Sequence, residues 1–135
     1  MTVIDASLAL AWPLDEARAD QADAILIETA AEGIVVPPLF WLEVANALRT
    51  RLRRGLIDLA VRDGAIVRVR ALGIVVGEGA DATDTVLDRA ISLSDQFDLT
   101  IYDAAYLELA LHLGAPLRTF DAALERAAIA AGAGG

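Results

Sequence analysis

Short apolar runs recur along the chain, each too brief for a helix and too apolar for a solvated loop: Val3-Ile4, Ile34-Val35-Val36, Gly73-Ile74-Val75-Val76 and Pro116-Leu117-Arg118-Thr119. Longer stretches lie between them, with apolar residues repeating at helical spacing. Strands without an alternating polar face must be covered on both sides, and intervening helices supply that cover. The pattern predicts an α/β fold, a small parallel sheet of four or five short strands flanked by helices. Helices are expected over 15–32, 39–53, 57–71, 81–97, 100 to about 113, and 122–131. A shorter turn, capped by Ser7, should include Trp12 and stop near Pro13. With 135 residues and no repeat, linker or low-complexity break, residues 1–131 read as one domain. The glycine-rich end, 132–135, reads as a flexible tail.

Composition removes several functions. There is no cysteine, so no thiolate metal site, disulfide or thiol nucleophile exists. All eleven basic residues are arginine, which excludes a P-loop lysine, a Schiff-base lysine and the lysine of a phosphorylation receiver. No apolar run is long enough to span a bilayer, and Val3-Ile4 follows the start without a basic leader, so a cytoplasmic protein without a membrane partner is expected. The net charge of -9 argues against gripping nucleic acid by bulk electrostatics. It still permits nucleic-acid chemistry through bound cations, and it favours a basic partner.

Acids stand where such chemistry could sit. Asp5 ends the first strand, at the sheet edge where open parallel sheets bind ligands, and an Asx-turn is the simpler alternative. Glu43 is set in the apolar stretch Leu39 to Leu48 with Asn46 on the same side. A carboxylate there is costly unless paired or ligated, so a functional role competes with a core ion pair. Asp103, in Thr100-Ile101-Tyr102-Asp103-Ala104-Ala105-Tyr106, lies in a first helical turn, where it completes a capping box or holds a cation. Asp121 lies between the last strand and the last helix, as an N-cap or a fourth member of the site. If these four converge, their mutual repulsion calls for hard cations such as Mg2+ or Mn2+, which suit phosphodiester hydrolysis. The single His112 falls in a last helical turn, where its partial positive charge is welcome and catalysis is not implied. Arg49, Arg51, Arg53 and Arg54 form a basic cluster, either a solvated helix end or a rim that steers an RNA backbone or meets an acidic partner.

The order and surroundings of these acids resemble the PIN-domain ribonucleases, specifically the VapC toxins of toxin-antitoxin pairs. The similarity is carried by Val3-Ile4-Asp5-Ala6-Ser7, Leu42-Glu43-Val44-Ala45-Asn46-Ala47-Leu48, the Thr100 to Tyr106 stretch, and Leu117-Arg118-Thr119-Phe120-Asp121-Ala122-Ala123-Leu124. The resemblance implies a PIN-like domain and a metal-dependent endoribonuclease with Asp5, Glu43, Asp103 and Asp121 as the metal-binding acids. It makes Ser7, Asn46 and Thr119 supporting residues. Asp5, Glu43 and Asp103 would hold the principal Mg2+ or Mn2+, and Asp121 would support a second ion or orient the attacking water. It further implies an RNA substrate, a VapB-like antitoxin with basic or arginine-bearing character, and a homodimer. The competing expectations are a housekeeping PIN-domain nuclease and a non-catalytic module whose acids dock a basic peptide.

Overall fold

The computed structural model describes residues 1–15, 17–77 and 84–135. Its strands are β1 (Thr2–Ile4), β2 (Ile34–Val36), β3 (Val75–Val76) and β4 (Leu117–Arg118). They form one parallel sheet in the order β3-β2-β1-β4. β1 and β2 are buried throughout, as their unbroken apolar character requires, whereas β3 is an exposed edge. The expected strand from Gly73 shrinks to its last two residues, because Gly73 takes a positive φ of 67° in the turn after the preceding helix.

The helices among the described residues are α1 (Ala6–Leu14), α2 (Ala19–Glu32), α3 (Phe40–Arg53), α4 (Leu59–Arg70), α5 (Asp84–Phe97), α6 (Ile101–Leu113) and α7 (Ala122–Ala131). Positions 81–83 of the helix expected over 81–97 lie outside the described residues. Two boundaries differ for a local reason. Asp5, not Ser7, caps α1, accepting the Leu8 N–H at 3.1 Å, and the helix runs through Pro13. α2 starts at Ala19 instead of position 15, because Asp15 Oδ1 accepts the N–H groups of Ala17 and Arg18 at 3.1 and 3.3 Å and turns the chain first.

The core gathers Ile4, Leu8, Phe40, Tyr106, Leu107 and Leu124, all fully buried. Each aliphatic side chain of this size stabilises the fold by about 1.5–3 kcal/mol. On α5, Leu87 and Ile91 are exposed. The chain end is not free of the fold: Ala133 is buried, its carbonyl accepts the Leu117 N–H at 2.7 Å, and its own N–H donates to Ala128 O at 2.7 Å. No helix among the described residues is long and apolar enough to cross a membrane.

Candidate metal centre

β2 and β4 flank β1 on opposite sides, and the later strands reach β4 only by crossing over. The strand order therefore reverses at β1, and a crevice opens beyond the carboxyl ends of β1 and β4. Asp5 is the first residue after β1 and Thr119 the first after β4. Because Ile4 is in register with Arg118, these two side chains meet across the seam.

Thr119 Oγ1 donates to Asp5 Oδ2 at 2.5 Å, and Ser7 Oγ donates to Asp5 Oδ1 at 2.7 Å. Each hydroxyl has one proton, so their mutual contact of 3.2 Å is left as packing. Both hydroxyls also accept from the β4–α7 loop: Thr119 Oγ1 from the Asp121 N–H at 2.9 Å and Ser7 Oγ from the Phe120 N–H at 3.1 Å. The two loops are thus stitched together around a buried carboxylate.

The other acids arrive on helices. Asp121 caps α7 through Oδ1, which accepts the Leu124 N–H at 2.9 Å. Pro37-Pro38 lets the chain leave β2 and start α3 at once, which puts Glu43 in the first turn of that helix. The buried Tyr106 hydroxyl donates to Glu43 Oε1 at 2.6 Å. Asp103 is half-buried in the first turn of α6, and Thr100 Oγ1 caps that turn by accepting the Asp103 N–H at 3.1 Å. The cap is therefore Thr100, and α6 carries Asp103 and Tyr106 three residues apart on one side.

Two of the acids, Asp103 and Asp5, are shifted by their surroundings. Asp103 is pushed up from the ordinary 3.8 to about 6, first by burial and then by the charges of Asp121, Asp5 and Glu43, with the Thr100 hydroxyl opposing. Asp5 is also raised, by burial foremost and by Asp121 in addition, although Thr119, Ser7 and the Leu8 N–H favour its charged form. Tyr106 is pushed far up by burial and by Glu43, so it stays a donor. Among the described residues no group of three or more acidic or histidine side chains already stands in metal-holding geometry. The chemistry of the donor set nonetheless fits a hard divalent cation: every candidate atom is a carboxylate or hydroxyl oxygen, and positive charge would relieve the repulsion that raises Asp103.

The remaining sequence candidates fall around this centre or away from it. Asn46 is exposed on α3 and joins none of these hydrogen bonds. His112 is at the opposite end of α6 from Asp103. Of the α3 arginines, Arg51 is partly buried while Arg49, Arg53 and Arg54 are exposed. Tyr106 is the contributor that sequence reasoning missed as a site residue. Its three-residue spacing from Asp103 was the available signal.

A PIN domain family model matches residues 2–130. The chain is 33% identical, over 124 residues, to Ribonuclease VapC3 of Pyrobaculum aerophilum, covering 88% of each protein. Its fold is similar to the crystal structure of PAE2754 from Pyrobaculum aerophilum, with a TM-score of 0.70 and 25% identity, over 93% of this chain and 84% of that one. These similarities show that the chain, with its four-stranded parallel sheet, belongs to the PIN-domain family and is of the VapC type.

Proposed function

We propose that this protein is the toxin of a toxin-antitoxin pair and acts as a divalent-metal-dependent endoribonuclease in the cytoplasm. The observation that carries the reading is the hydrogen-bonded join of Asp5, Ser7, Thr119 and Asp121 beyond the carboxyl ends of β1 and β4, beside which Asp103 is raised by burial first and then by the charges of Asp121, Asp5 and Glu43. Asp5, Glu43 and Asp103 would hold the principal ion, and Asp121 would serve a second ion or the attacking water. A bound Mg2+ or Mn2+ supplies positive charge against the phosphate and a lowered pKa for water.

The chain's own residues prepare that place. Ser7 and Thr119 fix both oxygens of Asp5, so its carboxylate has one orientation. Tyr106 fixes one oxygen of Glu43 in the same way. No side-chain nucleophile is needed. Asp121 is placed by the Thr119 hydroxyl that also binds Asp5, so the acid following β4 moves with the acid following β1. A VapB-like antitoxin of basic character and a homodimeric assembly belong to the same reading, and the net charge of -9 suits the first.

The test is cleavage of RNA by purified protein in Mn2+, in Mg2+ and in EDTA. Wild type should cut only with a divalent ion, and Asp103→Asn and Asp5→Ala should each lose at least about a hundredfold in kcat/KM, roughly the scale of removing one electrostatic element of a catalytic site. Equal cleavage in EDTA, or by Asp5→Ala, would remove the proposal.

A further inference from the structure

Beside the acids a second cleft of about 420 Å3 opens between α1, the start of α2, α3 and the β4–α7 loop, with Ser7, Leu10, Arg18, Arg51, Phe120 and Asp121 in its wall. Ser7 and Asp121 belong to the candidate metal centre as well, so the cleft adjoins it. The Arg18 guanidinium lies over the Phe120 ring, 3.6 Å from its centroid. That contact fixes a flat cation against an aromatic plane. Arg51 Nη1 donates to Ala47 O at 3.3 Å, which holds its head beside the helix. Glu43, Ala47 and Arg51 follow one another at four-residue steps, so one side of α3 carries an acid of the centre and, about 12 Å along the axis, a guanidinium.

The ion pairs among the described residues are Arg62–Asp63 and Arg89–Glu108, so neither cleft arginine is neutralised by one of them. Asp15 also borders the cleft, with its Oδ1 occupied by the N–H groups of Ala17 and Arg18. Two guanidiniums and a flat stacked surface next to a phosphodiester-cleaving centre match one chemistry: a phosphate with its unpaired base. The volume is of the size that takes one small ligand, and a base pair held in a duplex would not enter it.

We infer that this cleft is a subsite for the nucleotide next to the scissile phosphate of single-stranded RNA, with Arg18 and Arg51 holding phosphate and the Arg18–Phe120 stack receiving the base. The inference rests on the nuclease reading, and it also explains how a chain of net charge -9 can hold RNA: the positive charge is local.

Binding and cleavage are measured separately, so that the two readings can fail independently. Binding uses a fluorescein-labelled single-stranded RNA hexamer in Ca2+, which occupies hard oxygen sites. Cleavage of the same hexamer is followed in Mn2+. Arg18→Ala and Arg51→Gln should each weaken hexamer binding about tenfold, within the range for loss of a stacking or phosphate contact, and should raise KM more than they lower kcat. Arg18→Lys keeps the charge without the plane and should show a smaller loss, which guards against a folding artefact. Arg62→Ala, on α4, should bind and cleave like wild type. Wild type should prefer the single strand to the same hexamer annealed to its complement. Wild-type binding by both arginine variants, with Asp5→Asn inactive, overturns the subsite and leaves the nuclease intact. Arginine-dependent binding without cleavage in any metal supports the subsite and removes the nuclease. Equal binding of the duplex, or an arginine effect confined to association with a partner protein, overturns the subsite.

Discussion

Asp103 shows how a single residue's environment reaches stability and function together. Its folded value of about 6 lies above the ordinary 3.8, so the folded chain holds the proton more tightly than the unfolded one. The resulting stability is present below pH about 4 and is lost as the pH rises through about 6. A shift of this size corresponds to about 3 kcal/mol, which solvent screening at a half-buried site reduces to about 1–2 kcal/mol. Metal-free protein should therefore lose stability between pH 4.5 and 7, and Asp103→Asn should flatten part of that fall and exceed wild type at pH 7 by about 1 kcal/mol. Urea unfolding in EDTA at the two pH values checks it, and parallel pH dependences for the two proteins would exclude repulsion among the acids as the cause. Tyr106 gives a second residue-scale prediction. Removing its hydroxyl in Tyr106→Phe takes away the 2.6 Å bond to Glu43 without emptying the buried ring site. The cost should be about 1–2 kcal/mol in stability. Cleavage in Mn2+ should fall about tenfold, whereas a chain in which Glu43 serves only structure would lose stability alone.

At the scale of elements, α5 packs along α6 with Ala90 buried and Leu93 and Phe97 partly buried against the core, and one ion pair crosses between the two helices. Arg89 Nε donates to Glu108 Oε1 at 2.9 Å, and Glu108 is 6% exposed. The Arg89 side chain is partly exposed, but its guanidinium turns back to a buried carboxylate. Arg89→Ala should leave that carboxylate unpaired and cost about 1–3 kcal/mol, less than for a fully buried pair because the arginine is half in water. The double change Arg89→Ala with Glu108→Leu should recover most of the loss, and thermal unfolding of the three proteins decides it. What could be read from the chain divides along the same line. α7 and the body of α3 follow from period and caps, which are local, and the parallel sheet follows from strands with no polar side. The start of α2 was hidden because Asp15 competes for backbone N–H groups that the helix pattern would assign to a continuous helix. Among the candidate residues, Glu43 stood out by its apolar setting and Asp5, Asp103 and Asp121 by their places at strand ends and helix starts, but Tyr106 to Glu43 and Arg18 to Phe120 join residues far apart in sequence. No short-range pattern encodes such contacts, so side chains that orient the acids or flank them read as core or as surface.

For the whole molecule, net charge and local charge have opposite signs where RNA would bind. A net charge of -9 repels a polyanion at long range, so on the proposed reading affinity would come from a few close contacts and from cations that the acids would hold. Binding a divalent ion only in the folded state must also stabilise the fold by mass action. Mn2+ should raise the melting temperature of wild type and not of Asp5→Asn. The salt dependence of RNA binding then measures how the substrate is held. Each phosphate neutralised on a single strand contributes about -0.7 to the slope of log K against log salt. Contacts from Arg18 and Arg51 alone predict a slope of about -1 to -2 at fixed Ca2+, becoming shallower by about one contact's share in Arg51→Gln. Fluorescence titration of the single-stranded hexamer across monovalent salt gives the slope directly. A value near -4 in wild type, unchanged in Arg51→Gln, would place the RNA along an extended basic surface such as the exposed Arg49, Arg53 and Arg54 end of α3, and away from the cleft.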